Sequence, residues 1–230
     1  MTLEAESRRA TAVVPARNEA ATIATVVSSL LSIEGVDEVV VVANECGDET
    51  ANLAATAGAR VLVSTAGRGK GGALEEGLTL TPSADFYLLV DGDVGDTAAG
   101  ASALLEEVLA GRLDLAIGVL PSQTGAGLGL VRRFSAWCIE KLTGFRSEAP
   151  LSGQRAITRA ALGGCRPLAG GFGVETAMTI DALRLGNRVG ELPVDMTHRP
   201  TGRGPRGFVH RGRQGLDIAR AVALRALLLR

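Results

Sequence analysis

Short apolar runs alternate with amphipathic segments through the first half of the chain. Thr11 to Val14, Glu38 to Ala43, Arg60 to Ser64, Phe86 to Val90 and Asp114 to Val119 are apolar enough to be strands buried on both faces. Between them, apolar positions recur at helical spacing over Glu19 to Leu31, Asp48 to Ala57, Gly71 to Leu80 and Ala98 to Leu109. Strands separated by helices of this length predict βαβ units with right-handed crossovers. The fold class is therefore α/β, a mostly parallel sheet flanked by helices. Ligands of such sheets bind beyond the carboxyl ends of the strands. Four loops belong on that edge: Pro15 to Asn18, Asn44 to Asp48, Thr65 to Lys70 and Asp91 to Asp93.

From Gln123 onward the pattern loosens into a glycine-rich turn, a helix around Val131 to Leu142, a helical run from Thr176 to Leu185 and many arginines. This divides the chain into a flexible N-terminus (1–10), a ligand-binding α/β half (11–119), a subregion facing a second substrate (120–213) and a C-terminal amphipathic helix (214–230). No internal repeat is present.

The 230 residues suit one α/β domain, and the net charge of −1 argues against general nucleic-acid binding. The three cysteines, Cys46, Cys138 and Cys165, have no metal-ligand spacing and suggest a reducing compartment. The polar first ten residues carry no apolar signal segment, and Ala221 to Leu229 is too short and is broken by Arg225. A cytoplasmic protein is expected. Ile218, Val222 and Leu229 near Arg220, Arg225 and Arg230 leave open a peripheral contact with the inner membrane face, and a homodimer is also left open.

Asp91-Gly92-Asp93 follows an apolar strand. Two carboxylates on a rigid strand end suit Mg²⁺ or Mn²⁺ carrying substrate phosphates, although the tripeptide is also good turn chemistry. Arg68-Gly69-Lys70-Gly71-Gly72-Ala73 opens a helix, where glycines, a lysine charge and a helix N-terminus favour an anion. The bland counterpart is a flexible loop with a solvated lysine. Neither a Walker-type loop nor the dinucleotide glycine fingerprint is present.

At these residues the chain resembles a known family. Val13-Val14-Pro15-Ala16-Arg17-Asn18-Glu19 looks like the opening motif of family 2 glycosyltransferases with the GT-A fold. Asn44 to Thr50 resembles their D-x-S-x-D-x-T loop, with Asn44 and Cys46 departing and Asp48 and Thr50 kept. Gly69 to Leu74 is similar to their Gly-Lys-Gly-x-Ala-Leu element, and Asp91-Gly92-Asp93 to their D-x-D. The resemblance implies a nucleotide-sugar donor, bound by Pro15, Ala16, Arg17, Glu19, Asn44, Asp48, Gly69, Lys70, Asp91, Gly92 and Asp93. Asp93 would hold the metal and Asp91 would serve the nucleotide. Asn44 leaves the base open, because an amide donates as well as accepts.

The later layout is similar to that of glucosyl-3-phosphoglycerate synthases and related retaining enzymes. Gly171-Phe172-Gly173-Val174-Glu175 precedes a helix, and Val189 to Val194 leads to His198. By that likeness Glu175 contacts the donor hexose, His198 completes the metal shell, and Lys70, Asp93 and Glu175 form the catalytic set. Without the likeness, Glu175 reads as a charge at a helix N-terminus and His198 as a surface histidine. By the same likeness Ser152, Gly153, Gln154 and Arg155 lie where related enzymes bear acceptor and sugar contacts. Arg199 and Arg203 join them as acceptor-binding candidates because guanidinium suits phosphate. Met196 and Pro200 flank His198 where polar acceptor contacts would be expected.

The expected activity is metal-dependent transfer of a hexose from a UDP- or GDP-sugar to a small phosphorylated or anionic acceptor, with retention. Retention needs no carboxylate base, whereas inversion needs a positioned one, for which no residue is an unambiguous candidate and Glu175 could serve. An inverting polyprenyl-phosphate glycosyltransferase, a sugar nucleotidyltransferase and a non-catalytic nucleotide-sugar binder are the alternatives.

Overall fold

The computed structural model describes residues 9–65, 69–121, 128–198 and 206–227. In chain order the elements are β1 (Ala10–Ala16), α1 (Ile23–Leu31), β2 (Val36–Asn44), α2 (Thr50–Thr56), β3 (Arg60–Ser64), α3 (Gly69–Thr79) and β4 (Phe86–Leu89). Then come α4 (Ser102–Leu109), β5 (Leu115–Val119), α5 (Leu128–Thr143), β6 (Arg155–Thr158), α6 (Arg159–Cys165), α7 (Val174–Arg184), β7 (Val189–Pro193) and α8 (Arg206–Leu227). Tighter 3₁₀ turns over Gly95–Ala101 and Gly171–Gly173 lead into α4 and α7.

The strands form one sheet in the order β3-β2-β1-β4-β6-β5-β7. Every strand is parallel to β1 except β6, which runs antiparallel between β4 and β5. The second half of the chain thus completes the sheet, with β6 inside it and β7 at one edge. Alternation along β1 sends Ala12 and Val14 to one face and Val13 to the other. On the first face these pack with Val39, Val41 and Leu88 under α1 and α4; on the second, Leu89, Leu115, Ile117 and Ile157 pack under α3, α6 and α7. Helices α5 and α8 touch each other and α7, forming an outer layer on the second face. Among the described residues, no helix is long and apolar enough to cross a membrane.

Helices α1 and α2 start later than periodicity predicts, because polar groups divert the chain first. Asn18 takes a left-handed backbone (φ 58°), and the Glu19 carbonyl accepts from the Thr22 and Ile23 amides at 3.0 and 2.9 Å, so α1 begins at Ile23. The Asp48 carboxylate accepts from the Thr50 amide at 3.1 Å, which delays α2 to Thr50. Conversely, α3 starts at Gly69 and α8 at Arg206, both earlier than predicted. The predicted flexible segment 1–10 and the glycine-rich turn from Gln123 lie largely outside the described residues.

Candidate active site

The carboxyl ends of β1, β2 and β4 adjoin, and their loops interlock. The Asp48 carboxylate accepts from Ala20 N–H at 3.2 Å as well as from Thr50, and the Thr50 hydroxyl accepts from Glu19 N–H at 2.8 Å. The hydrogen bond from Thr50 holds the Asp48 carboxyl below the usual range. Asp48 therefore braces the β1 and β2 loops against each other. Cys46 Sγ accepts from Asn18 N–H and lies 3.5 Å from the Ala16 carbonyl, while exposed Arg17 pairs with Glu45 at 3.1 Å. Asn44 is buried at the end of β2. Pro15 fits this central strand because β1 pairs with β4 only as far as Val13.

Thr22 ties the β1 loop to the acidic loop, its hydroxyl donating to the Gly92 carbonyl at 2.8 Å. Gly92 packs against Ala16 and Glu19, so its lack of a side chain serves the protein's own packing. The glycines in the first turn of α3 behave likewise: a Cβ at Gly71 would collide with the Ala169 carbonyl. They seat α3 against the segment that carries Glu175.

Lys70 is the hub. Its Nζ lies 2.5 Å from Asp91 Oδ1 and 2.7 Å from Glu175 Oε1, with only 7% of the Glu175 side chain exposed. Burial would lower the Lys70 pKa, but the two carboxylates outweigh it and raise it. Burial likewise opposes ionisation of Asp91, yet Lys70 and His198 hold its carboxyl below the usual range. Gln154 clamps Asp91 from the other side, donating from Nε2 to the carboxylate at 2.9 Å and accepting from the Asp91 amide at 3.1 Å.

Asp93 faces His198, whose Nδ1 lies 2.9 Å from Asp93 Oδ1. Burial opposes protonation of the imidazole, but the hydrogen bond to Asp93 and the charges of Asp91 and Asp93 outweigh it, so the His198 pKa is raised. The segment bearing His198 is held by Thr97, whose hydroxyl accepts from Thr197 N–H at 3.1 Å. Met196 is fully buried and anchors that segment in the core, so it is not an acceptor-facing side chain. Asp91, Asp93 and His198 each offer a ligand atom, all within 4.8 Å of one another. Two carboxylates with one imidazole, in a cluster with more acids than cations, fit a hard divalent cation, Mn²⁺ accepting the imidazole more readily than Mg²⁺.

The acceptor candidates divide. Gly153 lies directly over the Lys70–Asp91 pair, where a side chain would collide with both head groups. Ser152 accepts from Gln154 N–H at 3.3 Å through its hydroxyl and from Arg155 Nε at 2.8 Å through its carbonyl. Arg155 is only 1% exposed and donates from Nη1 to Thr179 at 3.0 Å, linking β6 to α7 beneath Glu175. Arg199 and Arg203 lie outside the described residues. Sequence reasoning missed Thr22 and Thr97, since a lone threonine in a loop carries no pattern. It also missed that Asp91 stands close enough to join Asp93 and His198.

Residues 11–157 match the sequence model of Glycosyl transferase family 2. The chain belongs to this family. It is 31% identical over 196 residues to Glycosyltransferase AglJ of Haloferax volcanii, an alignment that covers 82% of this chain and 63% of that protein. The chain thus spans less than two thirds of that relative's length. The fold is similar to glucosyl-3-phosphoglycerate synthase from Mycobacterium tuberculosis. In complex with Mg²⁺ and uridine diphosphate, that enzyme superposes with a TM-score of 0.80 and 29% identity, over 95% of this chain and 79% of its own. In complex with Mn²⁺, UDP-glucose and phosphoglyceric acid it gives 0.77 and 27%, over 94% and 80%. The family 2 match ends within β6. Glu175 and His198 lie beyond it, and the tertiary structure brings them to the motif residues.

Proposed function

We propose that this family 2 protein is a metal-dependent, retaining hexosyltransferase that uses a UDP-sugar, glucose being the first donor to try, and a small phosphorylated acceptor. The observation that carries this reading is the convergence of Asp91, Asp93 and His198 beside the Lys70–Glu175 pair. The solved relatives that hold Mg²⁺ or Mn²⁺ with uridine diphosphate or UDP-glucose support it. In this reading Asp93 and His198 hold the cation, and Asp91 either joins them or serves the nucleotide. The cation, when bound, neutralises charge on the departing diphosphate. Lys70 adds a fixed positive charge at the same place. Pro15, Ala16, Arg17, Glu19 and Asn44 border the base and ribose, while Asp48 and Gly69 keep their loops in position. Gly153 and Ser152 face the acceptor, joined by Arg199 and Arg203.

Glu175 favours retention. Its carboxylate is held by Lys70, which leaves it suited to hydrogen-bonding the hexose and poorly placed as a free base. In a retaining transfer the leaving diphosphate oxygen takes the acceptor's proton on the face it leaves. A donor–acceptor screen with Mn²⁺ tests the reading: UDP-glucose should be consumed with a phosphorylated three-carbon acid, and NMR of the product should show the donor's anomeric configuration. Asp93→Ala should lose the metal-dependent part of donor binding while keeping the fold, and equal activity in that variant would remove the metal role. A polyprenyl phosphate acceptor is the second reading, favoured by exposed Leu216 and Leu224 on α8, and the same screen includes it.

A further inference from the structure

Helix α5 buries Ser135, Cys138 and Ile139, yet its opposite face exposes Leu130 (77%), Phe134 and Trp137 (55%). Spacings of four and three residues put these three on a single stripe. The Phe134 and Trp137 rings stack with centroids 6.3 Å apart. On the adjoining α8, Leu216 and Leu224 are also exposed, with exposed Arg220 one turn from each. Apolar surface gathered in this way marks a contact site.

Charge selects the occupant. Among the described residues of α5 and α8, the exposed charges are Arg132, Arg133, Lys141 and Arg220 against the single acid Glu140, in a chain of net −1. Along α5 the apolar stripe continues into exposed Lys141 and is flanked by exposed Arg133, with Glu140 as the helix's one acid. Beside it lies an open groove of about 390 Å³ lined by Arg132, Arg133, Ala136, Ser147 and Glu148. Arg132 Nη1 donates to the Glu148 carbonyl at 3.4 Å.

We infer that the exposed face of α5, continued on α8, docks the protein on an anionic lipid surface. Phe134 and Trp137 enter the boundary between headgroups and acyl chains, and the flanking cations meet lipid phosphates. An aromatic stripe edged by cations is what interfacial helices present to anionic bilayers. Pairing with a second copy is disfavoured, because a two-fold interface would set the basic face against itself. Helix α8, which continues the face, is tied to the segment that carries Glu175: Phe172 N–H, three residues from Glu175, donates to Asp217 of α8 at 3.2 Å. Docking would therefore hold the site beside the bilayer.

Trp137 is the only tryptophan, so intrinsic fluorescence reports on this face alone. The 230-residue chain is mixed at low salt with vesicles of phosphatidylcholine, with or without phosphatidylglycerol. With the anionic vesicles the emission should move to shorter wavelength and the protein should co-sediment; with neutral vesicles neither should occur. Salt near 1 M, where the Debye length is about 3 Å, should release most of the protein. Phe134→Asp, checked for fold by circular dichroism, should weaken partitioning by roughly tenfold or more. Unchanged emission and no sedimentation of the wild-type chain with anionic vesicles would overturn the inference. So would a lipid-free emission shift that rises with protein concentration alongside dimers in analytical ultracentrifugation, which makes the occupant a second copy. No step requires turnover, so the outcome is independent of the proposed catalytic function.

Discussion

Lys70 stands between Asp91 and Glu175, and removing it would leave two half-buried or buried carboxylates without their shared cation. Lys70→Met should lower kcat by about 10²–10³, the usual loss when one group stabilising developing charge is removed, with a smaller effect on donor affinity. Steady-state kinetics at saturating Mn²⁺ check this, and an unchanged kcat would limit Lys70 to a structural part. His198 supplies the pH dependence. Its imidazole must be neutral to bind a cation, and its raised pKa means that metal affinity falls with decreasing pH from a point above the ordinary value of about 6.5. Calorimetric Mn²⁺ titrations between about pH 8 and 5.5 should show that fall, and His198→Ala should flatten it. For the metal-free fold the sign is reversed. A raised pKa stabilises the native state fully below about 6.5, and that contribution is lost as pH rises through the raised value. At this scale Asp93, Lys70 and Asp91 are legible because each sits in a short motif beside a strong strand or helix signal. Gln154 and Arg155 are visible as polar residues, but their partners, Asp91 and Thr179, lie 63 and 24 positions away.

The turn before β6 is the element on which the site depends most. It sets Gly153 over the Lys70–Asp91 pair, points Gln154 at Asp91 and anchors Arg155 under Glu175. Gly153→Ala should separate the two head groups or displace the turn, costing about 1–3 kcal/mol as overpacking and reducing turnover more than fold stability accounts for. Urea denaturation with parallel assays tests this; wild-type activity in the variant would show that the turn yields freely. The strand itself is illegible beforehand. Arg155-Ala156-Ile157-Thr158 is too short for alternation to register, and its place inside the sheet comes from burial of Ala156 and Ile157 between β4 and β5. The strands with longer apolar runs, such as β2 and β4, are legible because burial on both faces leaves few polar positions in them.

Across the whole molecule, the sheet order places β1 and β4 side by side and leaves β7 to return the chain so that His198 meets Asp93, 105 positions earlier. A site assembled from such distant segments should be stabilised by a ligand that bridges them. Uridine diphosphate with Mn²⁺ should raise the melting temperature, the stabilisation reaching about 2.7 kcal/mol at one hundred times the dissociation constant. EDTA should abolish most of the shift, and Asp93→Ala should show only the metal-independent part. Differential scanning fluorimetry checks both, and an equal shift without metal would contradict the bridging role.

The sequence alone determined the α/β class, the strand-loop alternation of residues 11–119 and the loops where ligand chemistry gathers, because these depend on local periodicity and contiguous motifs. Its motif residues also pointed to family 2. Tertiary structure decided what stands against those motifs. It inserted β6 into the sheet, joined Lys70 to Glu175 and aligned His198 with Asp91 and Asp93. Such contacts depend on strand order and on the packing of α7 and the segment after β7, and neither leaves a periodic trace in the chain.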